Sequence, residues 1–196
     1  MNALFACDRE LFALVNGQWS STFFDWLMPA ITDLHKSPIA VWAALPLALA
    51  FWAWRGRMRA IKSIIALALA MAASDLVSYR AVKPLLDRPR PEAAGVPVVL
   101  RVRSQGGPSF PSNHAANMFA AATLLWLALR RWSWIAFIYA FAVAYSRVYV
   151  GVHFPLDVLG GAAIGSLCGL GSWLALRRWI ASPTKLGHLR KDRRSP

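Results

Sequence analysis

The chain is a series of apolar runs separated by short polar stretches, and the length and spacing of those runs predict helices throughout. Residues 3–17 set apolar and polar positions at roughly helical intervals, which predicts an amphipathic helix lying along a membrane surface rather than crossing it. Asn16-Gly17 ends it. Residues 22–34 are apolar but short. At about 1.5 Å per residue they do not cross a hydrocarbon core of about 30 Å. They read as interfacial, as re-entrant, or as the start of a bent helix broken near His35-Lys36-Ser37-Pro38. Five clearer spans follow at 38–54, 60–80, 112–129, 133–149 and 155–176, with a polar loop over 83–111. The expected fold class is all-α: an integral membrane helical bundle of five to six transmembrane helices with an N-terminal amphipathic interfacial helix. Residues 1–180 form a single membrane-embedded domain, and 181–196 a basic, disordered cytoplasmic tail attracted to anionic lipid.

Composition agrees with the membrane reading. Hydrophobic residues make up 57% of the chain and charged residues 16%, well under the share of about 25% usual in soluble proteins. Tryptophans gather near the ends of the apolar runs, as in interfacial belts. The net charge of +13 would suggest nucleic acid in a soluble chain. Here Lys and Arg concentrate in short loops, so the bilayer replaces nucleic acid as the expected partner. The stretch 55–62, the turn at 130–132 and the C-terminal region hold more than half of the 22 Lys and Arg. Those regions are therefore expected in the cytoplasm, in a multi-pass protein of a bacterial inner membrane. The 83–111 loop and the 145–154 turn then face the exoplasmic, periplasmic side. Cys7 and Cys168 show neither disulfide nor metal spacing. Asp8, Arg9 and Glu10 argue against a cleavable signal peptide. Gly161, Gly165 and Gly169 form a small-residue ridge suited to close helix packing. Asp75, inside the second predicted span, is expected to bind a neighbouring helix or a site cation. Nothing in the sequence sets an oligomeric state.

Three polar clusters fall on the expected exoplasmic side. The first is Lys83-Pro84-Leu85-Leu86-Asp87-Arg88-Pro89-Arg90-Pro91. Its prolines stiffen the chain, and cations on a stiff scaffold suit a highly charged anion. A basic loop against lipid headgroups fits this cluster equally well. The second is Pro108-Ser109-Phe110-Pro111-Ser112-Asn113-His114, with Ser112 placed to cap the helix that follows. The N–H groups of Asn113 and His114 would then face an anion. Alone, this is also an ordinary capped helix. The third runs from Tyr145 to Asp157 and carries Arg147, His153 and Asp157. Asp157 lies close enough to accept a hydrogen bond from one His153 nitrogen, leaving the other free to attack. A structural Asp–His pair between two helices is the alternative. Three ionisable groups at a membrane boundary favour function.

Taken together, Lys83 with Arg90-Pro91, Pro111-Ser112-Asn113-His114, and Ser146-Arg147 with His153 and Asp157 resemble the three signature motifs of the type 2 phosphatidic acid phosphatase superfamily. The apolar helices match its membrane branch, which includes undecaprenyl-diphosphatase and phosphatidylglycerophosphatase B-like lipid phosphatases. The family usually has Gly where this chain has Asn113, which adds an amide near the phosphate site. The resemblance implies that Lys83, Arg90, Ser112, Asn113 and Arg147 bind the substrate phosphate. It implies His153 as nucleophile forming a phosphohistidine, Asp157 as its orienter, and His114 as general acid and then base. No metal and no cofactor are implied. Arg88, Arg101 and Arg103 exceed what one phosphate needs, which makes polyprenyl diphosphate the first choice of substrate. Phosphatidylglycerophosphate, phosphatidate and lipid A phosphate are alternatives. A transporter or a lipid-binding scaffold is the non-enzyme reading.

Overall fold

The computed structural model describes residues 2–34, 37–38, 42–43, 45–130 and 133–182, and among them seven α-helices make up the fold. They are α1 Asn2–Ala13, α2 Thr22–Thr32, α3 Leu45–Leu76, α4 Lys83–Leu86, α5 Asn113–Leu129, α6 Trp134–Tyr149 and α7 Pro155–Ala181. No strand occurs among the described residues. The break expected near 35–38 falls largely on residues outside that set, and so does the tail from 183 onward.

The last three helices begin and end close to where the sequence placed them. Local chemistry explains why. Pro155 occupies the first turn of α7, where a missing N–H costs nothing. α7 runs on to Ala181, past the Arg177-Arg178 pair expected to close it.

The region before them differs. The spans expected at 38–54 and 60–80 are not separate: residues 45–76 form one unbroken α-helix. Arg, Met, Ala and Lys are good helix formers, so a basic stretch on an exposed helix face turns nothing. The helix continues through a π-helical stretch, Val77–Val82, directly into α4. Lys83, expected in a loop, is therefore helical. Asp87, in the left-handed region at φ 33°, ends the run.

One contact sets the depth of the bundle. Lys62 Nζ donates to the carbonyls of Trp179 and Ser182, each at 2.9 Å, at the far end of α7. From Lys62 to Lys83 α3 and its extension rise about 32 Å at 1.5 Å per residue, close to the thickness of a hydrocarbon core. By length and hydropathy the stretches Met58–Ala93 and Pro155–Ala181 can cross a membrane. α5 and α6 are shorter, at 17 and 16 residues. Leu69, Leu76, Ile138, Phe141, Leu159 and Leu167 are exposed on the outside, as a lipid-facing surface requires.

α7 packs on α5 through the glycine ridge. A Cβ added at Gly161, Gly165 or Gly169 would lie 2.4, 2.0 and 2.5 Å from the carbonyl oxygens of Ser112, Ala116 and Ala120. The two backbones are thus in near contact, which holds the N-terminal ends of α5 and α7 side by side. α1 lies across that end. Phe12 packs on Phe154 with ring centroids 5.2 Å apart, while Leu4, Phe5 and Leu11 stay exposed.

Candidate active site

The site lies where α4, α5 and α7 and the C-terminal end of α6 converge. α6 closes at Tyr149, and Gly151 reverses the chain at φ +87°. A side chain there would meet the Val99 carbonyl at 2.8 Å. His153 follows, and Asp157 sits one helical turn later inside α7.

Asp157 is fully buried and held from several directions. Its Oδ2 accepts from the backbone N–H of Phe154 at 2.8 Å and from the Ser109 hydroxyl. Oδ2 also lies 3.5 Å from His153 Nδ1. Oδ1 accepts from Arg88 at 2.7 Å. Arg88 in turn pairs with the buried Asp8 of α1 and stacks over the Phe154 ring at 4.4 Å. The second Asp8 oxygen accepts from Leu156 N at 2.8 Å, which ties α1 to the start of α7.

Nδ1 of His153 therefore faces a carboxylate and Nε2 faces away from it, 3.3 Å from Arg90. Burial pushes the imidazole down to about 4, against the smaller opposing effect of its bond to Asp157; Arg147 and Arg90 add to the lowering. Because the folded value lies below the ordinary 6.5, this ring favours the fold fully above that pH. That contribution is lost as pH falls towards 4.

Arg90 lies on the Nε2 side of His153, and Lys83 and Arg147 are near enough to Arg90 to act on it electrostatically. Arg90 donates to the carbonyls of Gly107 at 3.0 Å and Val152 at 2.9 Å. Lys83 donates to the Pro108 carbonyl at 2.7 Å. Arg147 is fully buried, bonded to Thr32 at 2.8 Å and Gln105 at 2.7 Å, with its Nε lacking a partner. Among the described residues none of the three is in an ion pair with a carboxylate. Buried cations without an ion-pair partner are incompletely compensated, a setting that suits an anion.

The structure thus gathers Lys83, Arg90, His153 and Asp157 of the sequence candidates, with Arg147 close enough to act on His153 electrostatically. Others are placed differently from expectation. Ser112 stands at the N-cap of α5, but its buried hydroxyl makes no cap bond and has no partner. Its role in the frame is through the backbone: Ser112 N–H donates to the Asp157 carbonyl at 2.9 Å. The Asn113 amide is turned to Asp75 at 2.9 Å, and Asn117 reaches the same oxygen at 3.1 Å. Asp75 therefore binds the neighbouring helix α5. His114 lines a cavity of about 380 Å³ together with Asp75, Asn113 and Asn117. Arg88 and Arg101, counted from sequence as surplus phosphate ligands, are engaged elsewhere. Arg101 bonds to Asp25 at 2.5 Å and to the carbonyls of Asn16 and Tyr149. Sequence reasoning gave Ser109, Asp8 and Asn16 no role in the site. Asn16 is bonded to Val99 and Tyr149 and pins the loop to α6. Among the described residues no group of three or more His, Cys, Asp or Glu is arranged to hold a metal ion.

The comparisons fit this geometry. A model of the PAP2 superfamily matches residues 63–181, which takes in all three clusters. The chain belongs to that superfamily. It is similar to the lipid A 4'-phosphatase of Bacteroides thetaiotaomicron, at 33% identity over 85% of this chain and 74% of that one. It is similar to the undecaprenyl-diphosphatase of Sulfolobus acidocaldarius, at 32% identity over 80% of this chain and 72% of that one. Its fold is that of a transmembrane PAP2 type phosphatidylglycerolphosphate phosphatase from Bacillus subtilis, with a TM-score of 0.66 at 24% identity. That match covers 91% of this chain and 88% of the other. These relatives in the superfamily are phosphatases, and the helical bundle has the fold of a transmembrane member.

The state of the central imidazole is measurable. Histidine-selective NMR of the protein in detergent, with His153→Gln to assign the signal, is expected to show the His153 ring neutral down to about pH 4. A midpoint near the ordinary 6.5 contradicts the burial described here.

Proposed function

We propose that the protein hydrolyses the phosphate of a membrane-anchored lipid through a phosphohistidine on His153. The observation that carries this is a buried imidazole in contact with Arg90, with the buried cations Lys83 and Arg147 near Arg90 and none of the three, among the described residues, in an ion pair with a carboxylate. Lys83, Arg90 and Arg147 hold the phosphoryl oxygens and neutralise the charge that spreads over them in the transition state. Nε2 of His153 attacks phosphorus in line. The N–P bond forms as the P–O bond to the lipid breaks. Asp157 holds Nδ1 and stabilises the positive charge that the ring gains. His114 gives its proton to the departing oxygen. Water then attacks phosphorus, His114 takes a proton from it, and the N–P bond breaks to release phosphate. Fixed cations do the work that a metal would otherwise do.

For the headgroup, the sequence's first choice was polyprenyl diphosphate. That choice rested on spare arginines, and two of them, Arg88 and Arg101, are tied to carboxylates. Lys83, Arg90 and Arg147, which among the described residues are in no ion pair, suit one phosphoryl group. Kinship with an undecaprenyl-diphosphatase still supports the diphosphate. Kinship with a lipid A 4'-phosphatase supports a phosphomonoester on a sugar lipid.

The site faces the exoplasmic side of a bacterial inner membrane, with α1 lying in that interface. The support is the charge at the other end of the bundle. Arg55, Arg59, Arg130, Arg177 and Arg178 all lie towards the Lys62 end, away from the site. This no longer depends on counting 38–54 as a separate crossing.

Two measurements follow from this reading. Purified protein in detergent is expected to release phosphate from a panel of lipid phosphates in the presence of chelator, with His153→Ala lowering turnover at least ~10⁴-fold while the variant still inserts. Substantial residual turnover in that variant removes His153 as nucleophile. Cysteines introduced singly into a Cys7→Ser, Cys168→Ser background report sidedness. An impermeant maleimide is expected to label Arg103→Cys in intact spheroplasts and Arg178→Cys only after lysis; the reverse pattern inverts the topology.

A further inference from the structure

Asp157, the carboxylate beside His153, shares its cation with a second carboxylate. Arg88 donates through one terminal nitrogen to Asp157 Oδ1 at 2.7 Å and through the other to Asp8 Oδ2. Asp8 lies on α1 and is 2% exposed. Its Oδ1 accepts from the backbone N–H of Leu156 at 2.8 Å. That N–H belongs to the first turn of α7, where a helix has no acceptor of its own to offer. Phe5 and Phe154 flank the guanidinium, with ring centroids 5.5 and 4.4 Å from Cζ. Two of these partners, Asp8 and Phe5, come from α1, which lies outside the residues 63–181 matched to the superfamily.

The charges give a reason for the second carboxylate. When Nε2 of His153 bonds to phosphorus the ring becomes positive, and a negative charge beside Nδ1 lowers the energy of that state. Asp157 supplies that charge. The other groups that act on the ring are Arg90, Arg147 and the Ser109 hydroxyl, none of them negative. Arg88 alone against Asp157 would cancel the charge on which the ring depends. With Asp8 included, the three side chains carry one net negative charge, which matches the one positive charge that the ring gains. Burial strengthens each of these interactions.

Resting on the phosphohistidine mechanism, we infer that Asp8 is a positioning residue for phosphoryl transfer. Its charge offsets Arg88, so that Asp157 keeps a full counter-charge for His153. Its second oxygen fixes the first turn of α7, which carries Asp157. α1 thereby contributes to the chemistry from outside the three motifs, without touching the reacting atoms.

The test uses full-length protein in detergent and the lipid phosphate of the panel above that wild type cleaves fastest. Two quantities are measured for each variant: the single-turnover cleavage rate and the inhibition constant of inorganic phosphate. Asp8→Asn keeps the shape and an acceptor for Leu156 but removes the charge. It is expected to slow cleavage about ten-fold or more. Phosphate is expected to bind this variant as tightly as wild type or more so, because the site has lost a negative charge. Damage to the fold moves both quantities the wrong way, slowing cleavage and weakening phosphate together. Adding Arg88→Gln to Asp8→Asn removes the unbalanced cation and is expected to regain several-fold of the lost rate. Asp8→Ser, also neutral, replaces Asp8→Asn if that variant does not fold. A cleavage rate within about two-fold of wild type overturns the inference. So does phosphate binding that weakens in step with the rate, or a double variant no faster than the single one. Each of these results leaves the phosphatase reading standing. No cleavage of any lipid phosphate by wild type sinks that reading, and this inference with it.

Discussion

A fully buried carboxylate in a membrane protein is costly unless every lone pair finds a donor, and the arrangement around Asp157 follows from that requirement. Ser109, the Phe154 amide, His153 and Arg88 supply those donors from three separate parts of the chain. Each bond also fixes something else. Ser109 anchors the loop ahead of α5. Phe154 N–H sets the first turn of α7. Nδ1 of His153 is aimed inward, which leaves Nε2 facing the cations. Arg88, itself balanced by Asp8, draws α1 over the site. Removing this one carboxylate would leave a buried imidazole without orientation and a guanidinium compensated only by Asp8.

The cations obey the opposite logic. Lys83, Arg90 and Arg147 are as buried as Asp157 or nearly so, yet among the described residues none of them is in an ion pair with a carboxylate. The chain thus separates its buried charge into two zones, one internally neutralised and one left electropositive. The imidazole sits on the boundary between them, and the neighbouring positive charge helps to keep it unprotonated. The close approach of α5 and α7 makes the boundary sharp. Glycines facing backbone carbonyls bring the two helix starts together, and Ser112 N–H reaches the Asp157 carbonyl.

Much of this was legible in the residue order, for identifiable reasons. Helices α5 and α7 carry their own start signals and have basic pairs near their ends, and α6 is bounded by the first of those pairs and by Gly151. The residues of the three motifs lie near proline-bounded helix ends, so their convergence on one face followed from counting spans. The α3 region misled because basic residues normally mark loops in membrane chains. Here Arg55 and Arg59 are exposed on a helix that simply continues, and Lys62 is buried against the end of α7. Long-range partners were not legible at all: Asp8 and Arg88 are 80 residues apart, and Ser109 and Asp157 are 48. No local pattern distinguishes Asp8 from any polar residue on an amphipathic helix. Ser112 misled for a related reason. Its position is that of a cap, but its hydroxyl is left without a partner and its backbone N–H is drawn to α7.

In the proposed mechanism His153 accepts the phosphoryl group, with its Nε2 presented by Asp157. Stopping turnover within milliseconds in alkaline detergent, where a phosphorus–nitrogen bond survives, and mapping the protein by mass spectrometry tests this directly. The expected result is phosphate on His153 alone, absent in a His153→Ala preparation treated identically. Phosphate on Ser109, Ser112 or His114, or turnover with no phosphoenzyme at any quench time, contradicts it.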